Sequence, residues 1–237
     1  MRSRLIIGRR HKVLQAYCAG KKVLDLGCVD HEAVNERLDR WTHRHLAEVA
    51  DSILGIDILE EEVAKLQAKG FNVRAGNVEN LDLDEAFEVV LAGELIEHVR
   101  NQELFLQSVR RHVDRDGVFV FTTPNATSLS SFVEVLLWGR LRFVHATHML
   151  WHDANTVCQL LEDNGFEVEE VSFVLDNPTY SPYMNKLIYF MLKARFLLVL
   201  LPCLLRRQFA PTLLVVARLK TGREAILNGS AEKAAAR

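Results

Sequence analysis

Val23-Leu24-Asp25-Leu26-Gly27-Cys28-Val29-Asp30 is an apolar run that ends in an acid and a glycine, and Ile53-Leu54-Gly55-Ile56-Asp57 repeats the pattern further on. Two buried strands, each delivering a carboxylate at its C-terminal end, describe a ligand-binding edge in an open α/β sheet. The glycine count narrows the ligand. A dinucleotide site uses G-x-G-x-x-G, so that the backbone approaches a pyrophosphate and the helix packs close to its strand. Here Gly27 stands alone, with Val29 and Glu32 at the later glycine positions, and Asp25, Asp30 and Glu32 would repel a pyrophosphate. The stretch predicts a ligand without phosphate that carries positive charge and a ribose diol.

Four further segments follow in order: Asn72-Val73-Arg74-Ala75-Gly76-Asn77-Val78, the run Phe87 to Val99 with Gly93-Glu94 and Glu97-His98-Val99, Val118 to Asn125 ending in Thr122-Thr123-Pro124-Asn125, and Gly165-Phe166-Glu167-Val168. Together with the opening stretch, over roughly residues 20 to 176, they resemble the class I S-adenosylmethionine-dependent methyltransferases. The resemblance implies a Rossmann-like, doubly wound α/β sheet of seven strands, mostly parallel with an antiparallel last strand. It implies S-adenosylmethionine as cofactor, with Asp25, Gly27 and Cys28 under its methionine part, Asp57 and Ile58 at its ribose, Asn77 and Val78 on the adenine side, and Gly93 and Glu94 after the fourth strand. Val29 and His31 depart from the family, where many members carry glycine.

With 237 residues, 49% of them hydrophobic, the chain suits a single domain. The expected domain covers residues 1–220, with an apolar, basic insertion at about 178–211 and a mobile tail over 221–237. Four cysteines, at 18, 28, 158 and 203, show no metal spacing and read as free thiols of a reducing compartment. The basic N-terminus lacks an apolar stretch long enough for a secretory signal, so cytoplasmic residence is expected.

Charge is unevenly spread. Met1 to Leu24 and Asn177 to Lys220 each carry seven Lys or Arg and no acid, whereas Asp25 to Asp176 carries 29 acidic and 12 basic residues. An acidic centre argues against a nucleic-acid substrate, whose phosphates it would repel. Within the second basic flank, Leu187 to Leu205 holds only two charges, Lys193 and Arg195. Two cations near the middle of a bilayer cost roughly 2.5 to 3.5 kcal/mol each, so an in-plane membrane contact fits better than a crossing. Packing on the sheet, or a homodimer through 183–208, is the alternative.

The hydrophobic spacing predicts helices from about Arg9 to Ala19, Glu32 to Ala50, Leu59 to Lys69 with Gly70 as its stop, Asn101 to Val113 and Asp153 to Asn164. Asn125 to Leu150, rich in Ser, Thr, His and aromatics, comes where a ligand-covering segment would sit, and Thr212 to Lys220 returns as the last strand.

A sulfonium methyl is a strong electrophile, so the protein mainly holds a nucleophile in line and excludes water. A hydroxyl nucleophile also needs a base, for which His148, His145 and His98 are candidates. His148 is favoured because related methyltransferases often place a histidine just before the helix matching Asp153 to Asn164. Asn125 and Trp151 are candidate substrate contacts, Glu97 reads as a complement to a helix dipole, and no metal is expected, since His145, His148 and His152 have only Asp153 beside them as a carboxylate. Thr122-Thr123-Pro124-Asn125 differs from the N/D-P-P-Y/F pattern of enzymes that methylate base amino groups. Members of the family with a similar strand and a histidine-rich cover include small-molecule O-methyltransferases acting on quinone precursors and on sugars of cell-surface glycans. A small-molecule or lipid-linked saccharide acceptor is therefore the first expectation and an isoprenoid-tailed phenol the second. A non-catalytic S-adenosylmethionine-binding scaffold is the reading from a different class.

Overall fold

The computed structural model describes residues 1–29, 41–141, 148–178 and 185–220. Among the described residues, eight strands form one sheet in the order β1-β7-β8-β6-β5-β2-β3-β4. They are β1 (Leu5–Gly8), β2 (Lys22–Leu26), β3 (Ser52–Asp57), β4 (Val73–Ala75), β5 (Phe87–Gly93), β6 (Val113–Pro124), β7 (Phe166–Asp176) and β8 (Thr212–Leu219). Strand β8 runs antiparallel between β6 and β7, as the resemblance implies, and the other pairings are parallel. The expected count of seven strands is corrected to eight. The addition, β1, is only four residues long and reads Leu-Ile-Ile-Gly, with no alternation to mark it as a strand. It covers the edge of the 11-residue β7 in the register Leu5↔Phe173, and Arg4 Nε holds Glu170 Oε1 at 3.1 Å.

The helices are α1 (Arg10–Cys18), α2 (Thr42–Ala47), α3 (Glu60–Ala68), α4 (Gln102–His112), α5 (Leu129–Trp138), α6 (Ala154–Asp163) and α7 (Lys186–Leu205). On one face of the sheet, Leu14 and Cys18 of α1 and Leu46 of α2 pack on Val23, Val89 and Val120. On the other, Phe105, Leu106 and Val109 of α4 and Val157 and Leu161 of α6 meet Leu24, Val90 and the stacked rings of Phe119 and Phe121. Burying each such side chain contributes about 1.5–3 kcal/mol, and because both faces are covered, β5 reads as a nearly continuous apolar run rather than an alternation.

Local signals set the helix ends. Asp153 caps α6 in a reciprocal capping box with Thr156, Asn101 caps α4, and Gly70, at φ +88°, follows α3 where a stop is expected. The expected helix over Glu32 to Ala50 is corrected, because residue 41 is extended and the described helix is Thr42–Ala47, while residues 30–40 lie outside the described residues. Trp41, extended just ahead of α2, donates its indole Nε1 to the Cys28 carbonyl at 2.5 Å. The tail after 220 also lies outside the described residues.

Candidate active site

Strands β2, β3, β4 and β5 all point their C-terminal ends to one edge of the sheet. At that edge Gly27 adopts φ +71° and donates its N–H to Ile56 O at 2.8 Å. The positive φ favours glycine, and a Cβ there would lie 2.8 Å from Leu95 Cδ1, so that side chain would have to shift.

The next residues are held by side chains where a glycine-rich loop would rely on its backbone. Asp57 Oδ2 accepts from Val29 N at 2.9 Å and Oδ1 from Leu59 N at 3.1 Å. Burial pushes the Asp57 carboxyl above the usual range, opposed by these backbone donors. Asp25 is buried, and its Oδ2 lies 2.8 Å from Nδ1 of the equally buried His43. Val29 is thereby accounted for: its N–H serves Asp57 while its side chain packs in a cluster with Cys28, Trp41 and Val63. His31 lies outside the described residues.

The structure brings most of the expected cofactor residues to this edge but gives some of them other work. Asp25 of β2, expected as a ligand contact, faces His43 of α2. Cys28 is buried, its thiol pushed far up by burial and by Asp25. Ile58 is 65% exposed beside Asp57 and offers an apolar surface at the diol end. Asn77 Oδ1 accepts from Glu79 N at 3.0 Å in a local turn, and Val78 is half-buried behind it. Gly93 ends β5, and Glu94 follows at φ +55° with its N–H on Thr122 O at 2.9 Å. An Arg10 guanidinium nitrogen is ion-paired with Glu94 Oε1, a contact hidden from sequence reasoning because Arg10 reads as one of several basic N-terminal residues.

Beyond β5, Glu97 and His98 lie in the 3-10 turn Ile96–His98. The expected helix-dipole role of Glu97 is corrected: its side chain is 1% exposed and turned inward, Oε2 accepts from Thr123 Oγ1 at 3.0 Å, and among the described residues the buried Oε1 has no hydrogen-bond partner. Burial raises its pKa to about 7. The His98 and His148 rings meet edge to face, with centroids 4.6 Å apart. Met149 N donates to Glu97 O at 2.9 Å, fastening the His148 segment to the turn. One donor atom each from Glu97, His98 and His148 all lie within 4.8 Å of one another, an arrangement that can relay a proton or ligate a cation.

His152 Nε2 lies 2.8 Å from Gln102 Nε2, and His145 lies outside the described residues. Asn125, expected as a substrate contact, spends its side chain on the protein itself. Its Nδ2 donates to the carbonyls of Gln208 and Ala210 at 2.8 Å each, and its Oδ1 accepts from Thr127, which leaves the amide fully engaged. Trp151 is half-buried near the same segment.

A family model described as a methyltransferase domain matches residues 2–171. The chain belongs to the methyltransferase-domain family. Among curated relatives, this methyltransferase domain is 32% identical over 169 residues to a Mycolicibacterium smegmatis protein named "Probable S-adenosylmethionine-dependent methyltransferase", covering 68% of the chain and 60% of that protein. It is 29% identical over 182 residues to the human mitochondrial ubiquinone biosynthesis O-methyltransferase, covering 70% of the chain and 46% of that protein. The chain thus spans about half to three-fifths of the length of these relatives. A solved S-adenosylmethionine-dependent methyltransferase from Mesorhizobium loti shares the fold with a TM-score of 0.54 at 19% identity, covering 87% of this chain and 96% of that one. Class I membership makes S-adenosylmethionine the cofactor. The edge fits it through the positive-φ turn at Gly27, the remaining acceptor capacity of Asp57 toward a diol, and the exposed apolar Ile58.

Proposed function

We propose that this methyltransferase domain methylates a hydroxyl of an acceptor that carries a hydrocarbon tail and is met at a membrane surface. The observation that carries this reading is α7. Apart from Lys193 and Arg195 it is apolar on every side: Phe196, Val199, Leu200 and Cys203 pack against the domain's own core, while Leu187, Phe190, Leu198, Leu201 and Leu205 are exposed on other faces. A helix apolar on every side belongs in an apolar environment. By length and composition α7 can cross a bilayer, but attachment of one face to the sheet favours an in-plane position, with Lys186, Arg206 and Arg207 toward anionic head groups.

Bound S-adenosylmethionine supplies an activated methyl on a sulfonium with a neutral leaving group. His148 takes the acceptor hydroxyl proton, and the nearby Glu97 carboxylate, held by Thr123, favours the imidazolium that forms. His98 packs against the His148 ring and fixes its orientation. A lipid-linked saccharide is the acceptor class the sequence favours. A phenolic quinone precursor is the second reading, favoured by the names of the ubiquinone O-methyltransferase relatives.

The test supplies labelled S-adenosylmethionine with either a polyprenyl-linked saccharide or a prenylated catechol. Methyl incorporation into one identifies the acceptor, and His148→Gln should lower the rate about 10²–10⁴-fold. Incorporation into neither, with S-adenosylmethionine still bound, would support the scaffold reading. Loss of activity with a chelator, restored by a divalent cation, would move His98 and His148 from proton transfer to ion ligation.

A further inference from the structure

A cavity of about 260 Å³ lies beneath α7, close to the lower end of the ~300–1,000 Å³ range of small-molecule sites. Its walls are Leu192, Phe196 and Val199 on the inner face of α7, Phe209 and Pro211 ahead of β8, and Leu175 at the end of β7. Leu192, Phe196 and Val199 follow i, i+4, i+7 spacing, so one helical stripe roofs the space. Ser130 of α5 borders the same space. That helix also exposes apolar side chains, Phe132, Leu136 and Leu137 among them. The exposed Arg195 also lines the space and supplies a cation, with Ser130 and Asp176 as the other polar residues of a mostly apolar wall.

Two connections join this space to the methyl-transfer edge. Asp176, also in the wall, accepts from Arg10 N at 2.8 Å, and the Arg10 guanidinium holds Glu94 at the end of β5. On the other side, Asn125 N donates to the carbonyl of the wall residue Pro211 at 2.8 Å.

We infer that this cavity receives a single hydrocarbon chain with an anionic head at Arg195, drawn from the bilayer between α5 and α7. The inference deepens the proposed function and rests on its premise of a membrane-borne acceptor, for which the cavity would be the tail site. An apolar space roofed by a helix whose outer face is also apolar suits a hydrocarbon chain, and a cation in its lining suits a phosphate or carboxylate head.

The experiment titrates the full chain, with S-adenosylhomocysteine present, by calorimetry with dimethylallyl, geranyl, farnesyl and geranylgeranyl monophosphates and, in parallel, with fatty acids of matching lengths, all below their micellar concentrations. Affinity should rise about fourfold per buried methylene and then level off once the cavity is full. Val199→Trp and Leu192→Trp, which fill the space from two positions, should each abolish the rise while S-adenosylhomocysteine binding shows that the fold is intact. Levelling with prenyl phosphates supports a tail site for the acceptor. Levelling with fatty acids alone supports the cavity but assigns it to a membrane acyl chain, against the proposed acceptor. No binding of either series, or an affinity that climbs without levelling and ignores both tryptophans, overturns the inference. The methyl-transfer assay is read separately, so failure here is distinguishable from failure of the proposed reaction.

Discussion

Asp25 Oδ2 and His43 Nδ1 lie 2.8 Å apart, both side chains are buried, and the pair sits over Gly55, the residue that faces Asp25 across the β2 and β3 ladder. A Cβ on Gly55 would lie 2.8 Å from His43 Cε1 and 2.7 Å from Cys28 Sγ. The glycine that makes room for the anchor of the cofactor loop is therefore on the neighbouring strand, outside the loop itself. Gly55→Ala should lower the melting temperature and weaken S-adenosylmethionine binding together, as measured by thermal shift and calorimetry. Unchanged binding in a folded variant would detach the pair from the loop.

His43→Ala removes the partner of a buried carboxylate, which costs about 1–3 kcal/mol for the group left unsatisfied. Denaturant unfolding should show that loss. His43→Gln, which can still donate to Asp25, should recover a part of it.

Asp57→Ala removes the acceptor of the Val29 and Leu59 N–H groups as well as the proposed ribose contact. Hydrogen bonds to a charged group contribute about 1.5–3 kcal/mol each, so S-adenosylmethionine affinity should fall by at least about tenfold. Equilibrium titration of the folded variant checks it, and affinity within a factor of two of the native chain would remove Asp57 from the site.

Glu97 predicts a pH dependence of stability. Its folded pKa, about 7, lies above that of an unfolded glutamate, so the folded state holds the proton more tightly. Stability therefore declines as pH rises from the usual carboxylate range through about 7, and the penalty, at most about 3 kcal/mol, is complete above it. Glu97→Gln keeps an acceptor for Thr123 but cannot ionise. Its advantage over the native chain should be small near pH 4 and largest near pH 8, as read by urea unfolding at both.

Replacing Leu198 and Leu201, both more than 60% exposed on α7, by Asp should abolish flotation with anionic vesicles while leaving S-adenosylhomocysteine binding intact. Flotation of the doubly substituted chain at the native level would exclude the outer face of α7 as the membrane contact.

Much of the architecture was legible in the residues. Parallel strands covered on both faces announce themselves as apolar runs ending in Asp25, Asp57 and Gly93, and the capping residues Asn101 and Asp153 mark helix starts locally. Less legible were features that depend on distant partners. Strand β1 exists because β7 extends far enough to need an edge partner. Arg10 meets Glu94 only because the N-terminal segment returns to the ligand edge, and Asn125, which looks like a substrate contact at a strand end, is claimed by the turn before β8.

By itself the sequence determined the succession of apolar strands and the lone glycine turn with its strand-end acids, because hydrophobic period and turn residues are local properties of the chain, while the class of cofactor followed from the family resemblance that five segments carry in order. Only the tertiary structure decided what each acid does there: Asp25 answers to His43, Glu97 turns inward to Thr123 beside the two histidines, and Asp57 carries the loop. The reason is physical. A carboxylate's role follows from its desolvation and from the donors within hydrogen-bond reach, and those donors come from segments far away in the chain that only folding brings together.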